Sequence, residues 1–479
     1  MEFAMKPIFQ TLSDRALSHK TLSHITVTRF PMLVVALLMT LFVLSPVVAD
    51  DQVVVLRGAR LIDGTGSPPQ EDAEITIHGE KITQVTASES ATLPKGAQII
   101  DLRGKTIIPG VISAHSHVGQ FDGIRRGTEH FTRENIVRQL RQYEAYGVTT
   151  VVSLGTNLPL IYDLQKEARD GKLPGADLFG ADRGIGVIGG APGQLLLNNA
   201  DQIDRPQTVK EARDAVRAAK ARGTDFIKIW VDPRGMNPKM SKEIYTAVID
   251  EAHQVGLRVA AHLFTLEDAK RLVAAGVDVI AHGVRDQPVD DEFIQAMKEK
   301  SVWYVATLAL DDATFIYADR PDWMQTPFFR HSVQPELQKQ FDDPEWQKKT
   351  LASPSAKTAR EWVRMNQRNL AILHDAGVKI GFGTDSGAFP IRIAGFAEHR
   401  ELELMAEAGL PLLSVIAIAT GNNAELLHLK DQGTIAPGKL ADLVVLDADP
   451  STEVTNVHQI HSVWHRGKKV SGPVTEFTP

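Results

Sequence analysis

The sequence predicts an α/β protein: a (β/α)8 TIM-like barrel with a small β-sandwich formed from both chain ends. Three observations point to it. Eight short apolar segments alternate with helical stretches through the middle of the chain. Both ends are strand-rich instead. The polar residues of the eight segments gather at their C-terminal ends. Alternating β and α segments imply a parallel sheet, and eight such units suggest a closed barrel.

The elements follow in chain order. Residues 1–31 carry Lys6, Arg15, Lys20 and Arg29; an apolar run, 32–44, comes next, then "SPVVAD" with Val47 and Ala49 at small-residue positions. A basic segment, a short apolar run and an A-x-A-like end describe a secretory signal, 1–49. The run is short for a membrane span of roughly 20 residues. An uncleaved anchor is the alternative, as is a start at Met5 or Met32. Cleavage would leave no stable membrane span and an exported protein, periplasmic or secreted. The absence of cysteine suits that compartment and excludes disulfides, thiolate catalysis and Cys-bound metals.

"VVVLRGARLIDG" and "AEITIHGEKITQV" read as the first part of the sandwich, 52–108, and "ADLVVLDADP" and "SVWHRGKKV" as its second part, 431–475. The barrel occupies 109–430. Its eight segments are "TIIPGVISAH", "VTTVVSLGT", "DLFGADRGIG", "DFIKIWVD", "RVAAHLF", "VDVIAHGV", "VWYVATLAL" and "VKIGFGTDSG". Residues 311–360, after the seventh, form a long Pro- and aromatic-containing insertion, and insertions at that end of a barrel often shape substrate sites. The net charge of −7 is spread along the chain with no basic stripe, so nucleic acid is not an expected partner.

The first segment ends in His115 and His117, the fifth at His262, the sixth at His282 and the eighth at Asp385; the fourth carries Lys228. Side chains two apart on a strand share a face. His115 and His117 therefore point together into the mouth where barrel active sites lie. Four imidazoles and one carboxylate on one rim make a Zn²⁺ site. Taken singly, each histidine reads as a hydrogen-bonded core residue, and Asp385 as a cap on the turn before Gly387; the shared strand end carries the argument. Lys228 sits among β-branched and aromatic residues in "FIKIWVD", and lysine is almost never fully buried unless paired. On spacing alone it snorkels to the mouth and pairs with Asp232.

These segments resemble the amidohydrolase superfamily, in particular its imidazolonepropionase-like and prolidase-like (Xaa-Pro dipeptidase-type) branch. "IIPGVISAHSHVG", "FIKI", "AHL", "AHGV", "GTDSG" and "GTIAPGKLADLVVLDADP" carry the resemblance, over residues 52–472. Ser113 departs from it, standing where the family often has Asp. The resemblance implies two divalent metal ions, Zn²⁺ foremost, and a CO₂-derived carbamate on Lys228 that bridges them. It places His115, His117 and Asp385 on one metal, and His262 and His282 on the other. A bridging hydroxide would attack a substrate carbonyl, with Asp385 as base and then acid. Carboxylation turns a costly buried cation into an anion that two cations neutralise.

The implied activity is hydrolysis of a C–N bond in a small molecule: a dipeptide, an N-acyl amino acid or a cyclic amide. Arg183, Arg234 and Arg285 follow predicted strand ends and are candidates for a substrate carboxylate, or else solvated loop charges. The glycine-rich loop 186–194 lacks a P-loop lysine and reads as a substrate loop. His399 and Glu403, four apart on a helix, read as packing residues. A mononuclear deaminase or imidazolonepropionase is the enzymic alternative, and Lys228 argues against it. A non-enzymic scaffold is disfavoured by six intact ligand positions. A homo-oligomer is compatible with the sequence.

Overall fold

The structure is a computed structural model that describes residues 53–87, 93–193 and 203–476. The signal segment and Gln194 of the glycine-rich loop lie outside the described residues. Among the described residues no helix is long and apolar enough to cross a membrane. Residues Asp51–Pro479 form one compact unit.

The chain opens with β1 (Val53–Leu61), β2 (Gln70–His78), β3 (Lys81–Ala87), β4 (Gln98–Asp101) and β5 (Thr106–Pro109). The barrel begins with β6 (Val111–Ser116) and is followed by a two-stranded ribbon, β7 (Phe121–Asp122) and β8 (Arg125–Arg126). It continues through β9 (Val148–Leu154), β10 (Asp177–Ala181), β11 (Phe226–Trp230), β12 (Arg258–His262), β13 (Val279–Ala281), β14 (Trp303–Val305) and β15 (Lys379–Gly381). The chain closes with β16 (Leu443–Leu446), β17 (Ile460–His465) and β18 (Lys468–Ser471).

Strands β6 and β9–β15 form one parallel eight-stranded sheet in chain order. It closes where β6 meets the residues after β15. Ala114 N–H donates to the Phe382 carbonyl (2.9 Å), Thr384 N–H to His115 (3.0 Å) and His117 N–H to Ser386 (2.7 Å). Glycine is required at this seam. A Cβ on Gly383 would lie 2.6 Å from that of His115, and one on Gly387 (φ +78°) 2.0 Å from the His117 carbonyl oxygen.

The helices between strands begin at residues suited to the task. Thr132, Thr208, Ser241, Thr265 and Asp290 each accept a backbone N–H from the first turn. Gly223 and Gly276 end two of them in the left-handed conformation.

Strands from both chain ends join in a second sheet, in the order β18-β17-β16-β5-β1-β2-β3, with β4 beside β1. It is mixed, because β1 runs parallel to β4 and β5 while its other pairings are antiparallel. Its two faces alternate along β16: Leu443 and Val445 pack within the sheet's own core, and Val444 and Leu446 pack with Tyr146 and Phe396. The insertion after β14 folds into short helices. Their aromatics, Tyr317, Trp323, Phe328, Phe329 and Phe341, join that second core.

Candidate metal centre and its rim

All six strand-end residues lie at the C-terminal mouth of the barrel. His115 comes from β6 and His117 directly follows it, Lys228 comes from the middle of β11 and His262 from the end of β12. His282 and Asp385 follow β13 and β15. Asp385 Oδ1 stands 3.2 Å from His115 Nε2 and 3.0 Å from His117 Nε2. These three residues form a group whose ligand atoms lie within 4.8 Å of one another. The His282 ring is 4.6 Å from both the His115 and His262 rings, centroid to centroid. The Lys228 charge acts on His115, His262 and His282.

Lys228 is buried, and its Nζ has no hydrogen-bond partner. Burial pushes its pKa down to about 7. Asp232 is engaged elsewhere, with Lys239 at 3.3 Å and the Gly235 N–H, so the Lys228–Asp232 pair is not formed. His115 Nδ1 and His262 Nδ1 are also buried without hydrogen bonds. Burial, joined by the Lys228 charge, lowers the His115 pKa to about 3 and that of His262 well below the usual range. Burial and the neighbouring histidines do the same to His282. Neutral imidazoles are the form that binds metal. Burial alone would raise Asp385, but the Arg392 guanidinium and the two histidines hold it well below the carboxylate range. Unpartnered buried donors and acceptors call for an occupant. Neutral imidazoles, an ionised carboxylate and an amine able to react with CO₂ fit a divalent-metal pair.

Asp385 takes φ +60°, His282 +108° and Thr307 +51°. Side chains of this kind rarely adopt such angles, and strained backbone clusters at functional sites.

Arg392 is a residue the sequence reading missed. It donates to Asp385 Oδ2 and covers the Phe389 ring at 4.7 Å. Arg285 donates to Asp311 Oδ2 at 2.8 Å, and Arg234 approaches Asp311 Oδ1 at 3.9 Å. Arg234 lies over Trp362 and Arg285 over Phe264, and those two rings touch edge to face. Arg234 feels the charges of both Arg285 and Arg392. Three guanidiniums thus share two carboxylates, one of which also belongs to the histidine group. Arg183 is half-buried after β10, and its charge acts on Asp204, outside this cluster. The sequence signal for Arg392 was a lone cation between Ile391 and Ile393 just past "GTDSG"; for Asp311 it was an acidic pair closing an apolar strand.

His399 and Glu403 pack as structural residues. His399 Nε2 donates to the Tyr146 carbonyl (2.8 Å), and Glu403 pairs with Arg400 and His458.

A closed (β/α)8 barrel with histidines and a carboxylate at its mouth defines a metal-dependent hydrolase of small molecules. Residues 106–470 match the Amidohydrolase family, and the chain belongs to it. It is therefore an enzyme that hydrolyses carbon–nitrogen bonds. It is similar to a 5-methylthioadenosine/S-adenosylhomocysteine deaminase of Bacillus cereus, with 22% identity over 84% of this chain and 87% of the relative. Among solved structures it is similar to a Xaa-Pro dipeptidase with methionine in its active site, at 25% identity and a TM-score of 0.71, over 88% of this chain and all of that one. Molinate hydrolase shares the fold, at 21% identity and a TM-score of 0.69, over 90% of this chain and 98% of that one.

Proposed function

We propose that the protein is a binuclear hydrolase that cleaves the C–N bond of a small substrate bearing an anionic group, such as a dipeptide or an N-acyl amino acid. Buried Lys228 carries the reading, because its Nζ has no hydrogen-bond partner while five donor side chains stand around the same mouth. As a carbamate formed from CO₂, Lys228 would link a metal held by His115, His117 and Asp385 to one held by His262 and His282. Zn²⁺ is the metal that imidazole and carboxylate donors suit. When bound, such a pair supplies an activated water and polarises the carbonyl. Asp385 takes the proton of the attacking water and returns it to the leaving nitrogen. Arg392, Arg234 and Arg285 orient the substrate through its anion, since their positive charge exceeds what Asp311 offsets. Export to the periplasm or beyond, read from residues 1–49, belongs to the same proposal.

A mononuclear deaminase is the second reading. It is favoured by the tight His115–His117–Asp385 group and by the deaminase relatives. Metal analysis of purified protein tests the two, together with a screen of dipeptides, N-acyl amino acids, cyclic amides and methylthio-nucleosides. Two metals per chain and released amino acid support the proposal. One metal and released ammonia would replace it with the second reading.

A further inference from the structure

The helix Phe396–Glu407 carries three buried carboxylates, Glu398, Glu401 and Glu403, and the first two stand three residues apart. Residues at this spacing share a helix face. Neither was expected from the sequence, and neither hydrogen-bonds a candidate metal ligand. Each instead grips a strained turn that presents one.

Glu398 Oε1 accepts three hydroxyls: Thr384 Oγ1 at 2.7 Å, Ser386 Oγ at 2.8 Å and Ser113 Oγ at 3.1 Å. Its Oε2 accepts the Gly395 N–H at 2.9 Å. Thr384 and Ser386 are the two neighbours of Asp385, whose φ is +60°. A non-glycine residue in that region is strained and persists only where its surroundings over-determine it. Tethering both flanks to one carboxylate supplies that determination. Tyr143 extends the clamp, its hydroxyl 2.6 Å from Ser386 Oγ. The arrangement also accounts for Ser113. An aspartate there would set a second carboxylate against buried Glu398, whereas serine donates to it.

Glu401 accepts the backbone N–H groups of Leu308 (2.9 Å) and Ala309 (2.7 Å). These follow Thr307, which has φ +51° and whose Oγ1 lies 2.9 Å from His282 Nδ1. With Nδ1–H donating to that hydroxyl, the His282 lone pair falls on Nε2, free for a metal. Partners one step behind the ligands fix tautomer and orientation in metal sites.

We propose that Glu398 and Glu401 are positioning residues: Glu398 fixes Asp385 through Thr384 and Ser386, and Glu401 fixes His282 through Thr307. The proposal rests on the ligand roles assigned above to Asp385 and His282. The binding energy of the metals thus depends on one helix outside the barrel wall.

The test compares Glu398→Gln and Glu401→Gln with Glu403→Gln. Glu403 lies on the same helix, is equally buried and pairs with Arg400 (2.7 Å) and His458 (2.9 Å), with no link to a ligand. Zn²⁺ affinity of the full chain is read by competition with a chelator, and stability by urea unfolding of the metal-free protein. Glu398→Gln and Glu401→Gln should each weaken Zn²⁺ binding about 10–100-fold. Glu403→Gln should lose stability and keep its Zn²⁺ affinity. Thr384→Val removes one hydroxyl of the clamp with little change of shape and should weaken binding several-fold; it serves if Glu398→Gln does not fold. Unchanged Zn²⁺ affinity in folded Glu398→Gln or Thr384→Val would overturn the role of Glu398. Unchanged affinity in Glu401→Gln would overturn that of Glu401. An equal loss in Glu403→Gln would reduce both to general stability. Failure of the unsubstituted protein to bind Zn²⁺ would instead remove the ligand assignment, and the proposal with it.

Discussion

His465 should contribute a stabilisation that falls with rising pH, and its removal should abolish that contribution. It ends β17 and is only 7% exposed, where the second sheet meets the start of β10. Its Nδ1 lies 2.7 Å from Glu144 Oε1, and its Nε2 lies 3.8 Å from Asp177 and 4.0 Å from Asp442. Arg466 pairs with Asp177 at 3.0 Å and with Glu80 at 3.4 Å, and Gln432 donates to both Asp177 and Asp442. Burial by itself would lower the imidazole pKa; the Asp177, Glu144 and Asp442 carboxylates overcome it and raise the value from 6.5 to about 10. At about 1.4 kcal/mol per pH unit that rise is worth ~5 kcal/mol. Removing one member of a buried ion pair costs a similar ~3–5 kcal/mol.

The folded-state pKa is the raised one. The stabilisation is therefore complete below pH ~6.5, shrinks as pH rises, and is gone above pH ~10. His465→Gln keeps a donor for Glu144 but leaves Glu144, Asp177 and Asp442 facing Arg466 without the imidazolium. Urea unfolding from pH 6.5 to 10.5 should show His465→Gln weaker by ~3–5 kcal/mol at pH 7, with the two proteins converging near pH 10. Parallel curves, or a substitution costing under about 1 kcal/mol at pH 7, would refute the charge argument.

Three other outcomes are expected. His115→Ala and His117→Ala should each lose metal and hydrolysis together, by metal analysis and turnover, because both imidazoles are held by the rigid first barrel strand. Lys228→Ala should lose at least one metal per chain and most of the rate, with partial rescue by bicarbonate or short carboxylic acids; Lys228→Arg should not be rescued, since its fixed cation cannot form a carbamate, and two metals with near-normal turnover in that variant would dismiss the bridge. In a native host, intact-mass measurement should find the mature chain starting near Asp50 or Asp51, and a soluble product retaining residues 1–49 would end the export reading.

Much of the architecture was legible because it is written locally. Short apolar segments alternate with helical stretches, and seven of the eight barrel strands fall inside the segments that predicted them, while the first overruns its segment by one residue, Ser116. The histidines were legible for the same reason: a strand end fixes which rim a side chain occupies. The insertion 311–360 was readable only as a long connection. Its short helices exist because their aromatics find a core shared with Tyr146 and Phe396, far away in sequence.

What the sequence alone determined is therefore the barrel and the common rim of the candidate donor residues, since each depends on short-range order along the chain. The tertiary structure alone decided how those donors are charged and held. Lys228 has no hydrogen-bond partner, and the fold commits Asp232 to Lys239. Arg392 reaches Asp385, Glu398 reaches Thr384 and Ser386, and His465 meets three carboxylates from separate parts of the chain. Burial and charge pairing are properties of neighbours in space, and no spacing along the chain encodes which distant residue that neighbour will be.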